Sequence, residues 1–580
     1  MKQTSAGVIG QRKALMTSQS IVKLIALLVW ALARSAFSAN TLNGHTVVLD
    51  SKGKILSWVN PQGQAFARVT RLAWDFLLNS EPLGPNGLKA HLTDCCLDPK
   101  GLRLNSEWPH DPASTYAAFV DSAVAYYAYS GDRDVVTLVQ QMLDYHLQHG
   151  LTPAKWDWAR VPYASSDGGA SEYVGGNDVV YCAQLGEKGA CGTGDGHYVV
   201  EPDKVGELGM GFLRFYELTG EAKYRQEAIA CAEALARHIR QGDFDHSPWP
   251  FRVYAENNKV REEYTSNVIG PVRLFDELVR LKLGNVNSYQ KKRQMAWNWM
   301  MAYPMQNDRW IAYFEDVPIF SPARKRLNFN QYSPMETARY MLLHPQYDPA
   351  WRTHVAHLIQ LVEKRFAVDV PDATAAYPFI PPEITRKMKA PPEPGIQWGA
   401  DAISEQMEDM NKMGSHTSRY ASINALWYAV TGDKNAKEKA FRSFNWATYM
   451  CRPNGVVNVG PVDNSVWFID GYGDYIRHFM SGIGAVPEWA PPGEDHVVSS
   501  TSVVQNVSYR PRRISFSTFD GRSSELLRLS FVPVHVVANG IELTRRRELS
   551  RPGWTFDPQS MQLRVRHASE KQAQVVISGR

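Results

Sequence analysis

Cysteine is scarce, with six in 580 residues and none at the paired spacing of a zinc site. A disulfide-built scaffold is excluded, and a chain of this length buries enough surface to fold without staples. Cys182 and Cys191, at the ends of CAQLGEKGAC, are the best-placed pair for a disulfide; Cys95 and Cys96 are adjacent, and Cys231 falls in an apolar helical pattern. An excess of one charge is also missing: 63 Lys and Arg stand against 59 Asp and Glu, a net +4 that is too balanced for a dedicated nucleic-acid binder. Beyond residue 39 no apolar run is long enough to span a bilayer. The Walker loop, the dinucleotide glycine fingerprint, HExxH and the GxSxG elbow are all absent, which removes nucleotide, zinc-protease and serine-hydrolase readings. Nothing in the chain calls for a cofactor or a metal.

What is abundant is aromatic: 17 Trp, 26 Tyr and 22 Phe, or 11% of the chain. Such density suits sugar-stacking surfaces and also large helical cores. With 44% hydrophobic and 21% charged residues, the chain is neither disordered nor collagen-like. Residues 1–39 carry Lys2, Arg12, Lys13 and Lys23, then the apolar run LIALLVWALA, then small residues at Ala36, Ser38 and Ala39. They read as an export signal, or as an uncleaved N-terminal anchor, and place the mature protein in the periplasm or outside the cell.

One phrase recurs along the chain: AYYAYSGD at 125–132, RFYELTGE at 214–221 and LWYAVTGD at 426–433. Each ends a helical pattern on a glycine and is followed by a second helical pattern, at 135–149, 224–239 and 436–450. Looser copies lie at 268–283 with 289–301 and at 334–343 with 350–366, and single helices are expected at 64–78 and 475–483. These make about six helical hairpins with irregular insertions, a pattern that favours a closed ring over an open solenoid. On this phrase and its aromatic-rich loops, residues 60–490 resemble the six-hairpin glycosidase-like superfamily. The resemblance implies an (α/α)6 toroid over 40–490, a central cavity lined by inner helices, and catalytic groups on loops at one end.

After Pro491-Pro492-Gly493 the periodicity shortens. Segments 514–519, 526–531, 534–537, 562–565 and 573–577 read as strands, with a hairpin turn at Asn539-Gly540. Residues 500–580 are thus expected to form a small β-sandwich-like module, either an accessory domain or a structural cap.

The chemistry is sought in the loops. The stretch 151–202 lacks helical periodicity and carries Trp156 and Trp158, so it reads as a lid with sugar-stacking faces. Glu201 and Asp203 flank Pro202 at the start of a helix, as caps or as an acid–base group. In SPWPFRVYAENNKVREEYTSN, Trp249 offers a sugar platform, Arg252 a partner for a carboxylate or hydroxyl, and Glu262, Glu263 and Tyr264 sit just before a helix. Adjacent glutamates on extended chain face apart, so at most one of the two is catalytic. Asn328, Asn330 and Gln331 precede Ser333-Pro334-Met335-Glu336, which reads as a capping box and keeps Glu336 out of the site. In GSHTSRY, Ser415 is expected to cap a helix whose first turns align His416, Arg419 and Tyr420 on one face, with His416 as a neutral base and Tyr420 as a proton donor. Trp398, Glu405, Glu408 and Asp409 approach the same helix, and WFIDGYGDY places Asp470, Tyr472, Asp474 and Tyr475 around two glycines.

Two opposed carboxylates would serve glycoside hydrolysis. A neutral His with Tyr and Arg would serve a uronate lyase or a sugar epimerase. The expectation is an exported enzyme acting on oligo- or polysaccharide, most simply a glycoside hydrolase. A lyase or epimerase is the alternative, and a glycan-binding protein without catalysis is the other.

Overall fold

The computed structural model describes residues 41–84, 87–98, 103–104, 109–176, 179–182, 187–193, 196–312, 329–367, 397–406, 412–461, 465–570 and 572–580. Residues 1–39, expected to be an export signal or N-terminal anchor, lie outside them with Asn328, Glu408 and Asp409, as do the side chains of Cys182 and Cys191. Cys95 and Cys96 are bonded to each other, and Cys231 and Cys451 are buried thiols. Among the described residues no helix is long and apolar enough to cross a membrane.

The recurring phrase does what its residues dictate. Gly131, Gly220 and Gly432 sit at φ of 75°, 78° and 78°, the left-handed conformation that stops a helix, and their amides return to the carbonyls of Tyr127, Tyr216 and Tyr428. The acid that follows starts the next helix. Asp132 accepts from the Asp134 amide and Asp433 from the Asn435 amide, both at 2.9 Å. Glu221 departs from the pattern, accepting from Gln140 instead of capping.

The long helices in chain order are α1 (Ala65–Asn79), α2 (Pro112–Ser130), α3 (Arg133–His149), α4 (Pro202–Thr219), α5 (Ala222–His238), α6 (Ile269–Leu281), α7 (Val286–Ala302), α8 (Tyr332–Leu343), α9 (Trp351–Phe366), α10 (Gly414–Thr431), α11 (Lys434–Thr448) and α12 (Tyr475–Ala485). Contacts run from α2 to α4, α6, α8, α10 and α12 and return to α2, which closes an inner ring. Behind each inner helix packs the odd-numbered helix that follows it, and α1 packs behind α12. This is the (α/α)6 toroid that the resemblance implies. Short turns join each inner helix to its outer partner, while long segments lead from one hairpin to the next inner helix. All inner-helix N-termini therefore open at the end that carries the long loops.

Nine strands follow: β1 (His496–Ser500), β2 (Val504–Arg510), β3 (Arg513–Thr518), β4 (Arg522–Arg528), β5 (Pro533–Ala538), β6 (Ile541–Glu542), β7 (Gly553–Asp557), β8 (Gln562–Ala568) and β9 (Ala573–Gly579). They form two antiparallel sheets, ordered β1-β4-β8-β7 and β2-β3-β9-β5-β6. Asn539 and Gly540, at φ of 50° and 78°, make the expected turn between β5 and β6. The strand expected at 526–531 instead begins at Arg522, and β1 and β2 escape the periodicity because each breaks its alternation at a register shift. The sandwich covers the short-turn end of the toroid. Tyr129 stacks on His496 at 3.7 Å, Tyr216 meets Phe519 edge-on at 5.7 Å, and Arg280 pairs with Asp520 at 2.7 Å. It therefore caps the end opposite the inner-helix N-termini.

Candidate functional site

Six inner helices aim the positive ends of their dipoles at one opening. Titratable side chains converge there from two walls, α4 and α10, which stand second and fifth in the six-membered ring and so face each other across it.

On the α4 wall, Pro202 occupies the first helical turn and Asp203 follows it. Asp203 Oδ2 accepts from Asn267 Nδ2 at 2.9 Å, and the same amide nitrogen donates to Glu207 Oε1 at 3.1 Å. Glu207, one turn along, also accepts from the Tyr332 hydroxyl at 2.8 Å. Burial, reinforced by the neighbouring Glu207 charge, pushes the Asp203 carboxyl up to about 7; burial raises Glu207 as well, against the Asn267 and Tyr332 donors. Asp203 also accepts from the Lys204 amide at 2.9 Å, but Glu207 takes a third donor, the Ser114 hydroxyl at 3.3 Å. The extra donor favours charge on Glu207, leaving the shared proton on Asp203.

On the α10 wall, the helix starts two residues earlier than a Ser415 cap implies, at Gly414, with Met413 at the cap. The Ser415 hydroxyl does not cap; it donates to Asp470 Oδ1 at 2.7 Å. Asp470 sits on a wide π-helical turn, Ile469–Asp474, that leads into α12. His416 Nε2 lies 3.6 Å from Glu405 Oε1 and 3.7 Å from Asp470 Oδ1. Burial pushes Glu405 up to about 7 and Asp470 to about 6, the latter eased by His416 and opposed by Glu405.

The other imidazole nitrogen decides what His416 does. Nδ1 lies 2.7 Å from Arg419 Nη1 and 2.7 Å from Gln331 Nε2. A guanidinium has donors only, so Nδ1 must accept, and the neutral ring carries its proton on Nε2. Toward Glu405 and Asp470 the ring thus presents an N–H, not a lone pair. The expected base instead turns its N–H toward the two carboxylates, at ion-pair rather than hydrogen-bond distance.

Beneath this layer the ring is filled with paired charge. Arg419 is fully buried between Glu336, at 3.2 Å, and Asp474, and its guanidinium lies 4.6 Å above the Tyr332 ring. Against the burial penalty, Arg339, Arg477 and Arg419 hold Glu336 down at about 2. Arg477 also pairs with Asp474 at 2.7 Å. Glu336 is therefore no capping residue. Its helix begins at Tyr332, and Asn330 Oδ1 receives the Ser333 amide at 3.1 Å.

Several expected site residues serve the fold instead. Arg252 is 0% exposed and lies between Glu201 at 2.6 Å and Glu262 at 2.8 Å, so it offers nothing to a ligand and engages one candidate acid. Glu263 pairs with Arg240. Trp158 stacks on His238, Trp249 donates to the Leu235 carbonyl, and Tyr264 donates to the Arg309 carbonyl; all three are buried. Tyr472 is buried in a stack on Phe76. Tyr420 leaves His416 altogether: its hydroxyl lies 2.7 Å from Glu363 Oε1 and 2.9 Å from Asp401 Oδ2 on the outer side of α10, and donates its one proton to that carboxylate pair. Trp398 lies beside Ile55, whose amide donates to its carbonyl, away from both walls. Trp156 is half-buried on the loop before α4, edge-on to Tyr198.

Asp203, His416 and Asp470 come together with residues the sequence reading missed: Glu207, Asn267, Tyr332 and, as more than an approach-loop acid, Glu405. Glu207 was detectable, since Asp203 and Glu207 stand four apart on one helix face. Asn267 and Tyr332 carry no local signal.

No family model and no curated protein matches the sequence. Among solved structures, the chain is similar to a cellobiose 2-epimerase from Bacillus thermoamylovorans, with 9% identity, 73% of this chain and 99% of that chain covered, and a TM-score of 0.49. It is similar to a cellobiose 2-epimerase from Spirochaeta thermophila at 9% identity, 74% and 98% coverage and a TM-score of 0.48. It is also similar to a family 76 glycoside hydrolase from Bacteroides thetaiotaomicron at 10% identity, 72% and 78% coverage and a TM-score of 0.45.

Proposed function

We propose that the protein is a carbohydrate-active enzyme and, within that class, a glycoside hydrolase working where the inner helices open. The carrying observation is that carboxyl groups stand on opposed walls, with Asp203 on α4 and Asp470 held by Ser415 of α10. Asp203, pushed up to about 7, keeps a proton near neutral pH and gives it to the glycosidic oxygen as the C–O bond breaks. Against its burial, Asp470 ionises more readily than Glu405, eased electrostatically by the nearby His416 and by the Ser415 hydroxyl. It stabilises the positive charge that develops at the anomeric carbon; water then supplies the hydroxyl there and passes its other proton to the deprotonated Asp203, which restores the acid.

The elimination and epimerisation readings lose their base and their proton donor together: Arg419 occupies Nδ1 of His416, and Tyr420 turns outward. The test is a panel of neutral and uronate glycans with the purified protein, reading new reducing ends and the ultraviolet absorbance of an unsaturated uronate in parallel. Reducing ends without that absorbance, lost in Asp203→Asn and Asp470→Asn, support hydrolysis. Absorbance that survives Asp203→Asn refutes it. Export to the periplasm or beyond is proposed with this role, on the charged start and apolar run of residues 1–39; cell fractionation tests it.

A further inference from the structure

Tyr198 breaks two rules at once. It is a large aromatic residue 52% exposed to solvent, and its backbone holds φ at +62°, a region that side chains of this size avoid. The strain is not the looseness of a surface loop. The Tyr198 amide donates to the Val174 carbonyl at 2.7 Å, and its own carbonyl accepts from Ala255 at 2.9 Å. The ring stands edge-on to Trp156, with centroids 5.6 Å apart and planes at 85°, and Trp156 is braced in turn by Tyr163 at 6.4 Å. Unfavourable backbone geometry held by surrounding bonds is where function is commonly found.

The position follows from the chain. Directly after Tyr198, the strand Val199–Val200 pairs with Arg252–Tyr254 and leads into Glu201 and Asp203. Five residues of extended chain reach at most about 18 Å, so the backbone of Tyr198 stands within that distance of the backbone of the proposed acid. Of the three tryptophans read from sequence as sugar platforms in this region, Trp158 and Trp249 are interior, and Trp156 alone keeps an exposed part. An aromatic face beside a polar hydroxyl matches a pyranose, which presents C–H groups on one face and hydroxyls at its rim.

We propose that Tyr198 and Trp156 form a distal subsite that stacks a sugar ring of an extended glycan whose scissile bond lies at Asp203. The inference rests on the proposed glycan activity and narrows its substrate class to chains rather than single sugars. The test is titration of the full protein with ladders of gluco-, manno- and xylo-oligosaccharides, from disaccharide to hexasaccharide, by calorimetry. Wild type is compared with Tyr198→Phe, Tyr198→Asn and Trp156→Ala. Asparagine tolerates the left-handed backbone, so Tyr198→Asn removes the ring without adding strain, and its melting temperature should not fall. For the ladder that binds, affinity should rise with length. Tyr198→Asn and Trp156→Ala should each weaken the longest members by about three- to tenfold, leave the shortest unchanged, and Tyr198→Phe should match wild type. Equal loss at every length, no loss, or no binding to any ladder overturns the subsite. Turnover that persists in Asp203→Asn overturns the catalytic reading separately, because length-dependent binding at Tyr198 is read without catalysis.

Discussion

Arg419 fixes the tautomer of His416. Its Nη1 stands 2.7 Å from His416 Nδ1, and because a guanidinium only donates, the same contact orients the Gln331 amide with its nitrogen toward the ring. His416 then turns its N–H toward Glu405 and Asp470 at ion-pair distance. Nitrogen NMR of the imidazole should find Nε2 protonated and Nδ1 as the acceptor at neutral pH. His416→Gln, which still offers an N–H, should keep activity within about tenfold, whereas His416→Ala should lose about a hundredfold or more in kcat, the usual cost of removing a preorganised donor. Equal loss in both variants would restore the base reading that the sequence suggested. A lowered melting temperature with full specific activity in His416→Ala would remove the residue from the site.

The two walls predict a narrow pH profile. Asp470 must be ionised, and burial holds its carboxyl at about 6; Asp203 must be protonated, and burial with the Glu207 charge holds it at about 7. Activity should therefore rise as pH climbs through about 6 and fall as it passes about 7. Asp203→Asn should abolish the alkaline limb along with most of kcat. Glu207→Gln removes the like charge beside Asp203, so the alkaline limb should move toward lower pH. A profile flat from pH 5 to 8, roughly the span on either side of these two groups, contradicts the assignment.

Much of the fold was legible because its signals are local. The glycine stop after an aromatic helix end and the Asp that caps the next helix lie within one short phrase, and helix bounds read from them fall within a few residues of α3, α5 and α11. The site was only half legible. Asp203, Asn267, Tyr332, His416 and Asp470 come from different hairpins, and their meeting depends on ring closure, which no window of sequence contains. Tyr420 shows a second reason. From Gly414 to Ala425 every residue of α10 is buried, so a face shared with His416 does not distinguish the cavity from the outer helices. The tryptophans misled for a third reason, since ring burial serves a large helical core as well as a sugar.

Arg252 was expected to bind substrate; its place between Glu201 and Glu262 makes it a stability residue. Arg252→Met should cost about 3–5 kcal/mol in urea unfolding, because Glu201 would keep its charge in an interior site without the guanidinium that now pairs with it at 2.6 Å. Adding Glu201→Gln should recover part of that loss. The folded fraction of Arg252→Met should keep the wild-type KM, and a large rise in KM with stability unchanged would return Arg252 to the binding site.

His146 should make the toroid sensitive to acid. It is fully buried in α3, next to Tyr116, Tyr173 and Phe212, and neither ring nitrogen has a hydrogen-bond partner among the described residues. Burial alone lowers its pKa from 6.5 to about 3. The sign follows from proton counts: between about 3 and 6.5 the unfolded chain binds a proton that the folded chain refuses. Stability therefore falls as pH drops below 6.5, at up to about 1.4 kcal/mol per pH unit for this group. Above 6.5 the group is neutral in both states and contributes no slope. His146→Leu removes two unsatisfied nitrogens at similar volume, so it should raise stability at pH 5 more than at pH 7.5. Urea unfolding of wild type and variant at both pH values measures this, and an equal change at the two would show that His146 does not titrate between the folded and unfolded states.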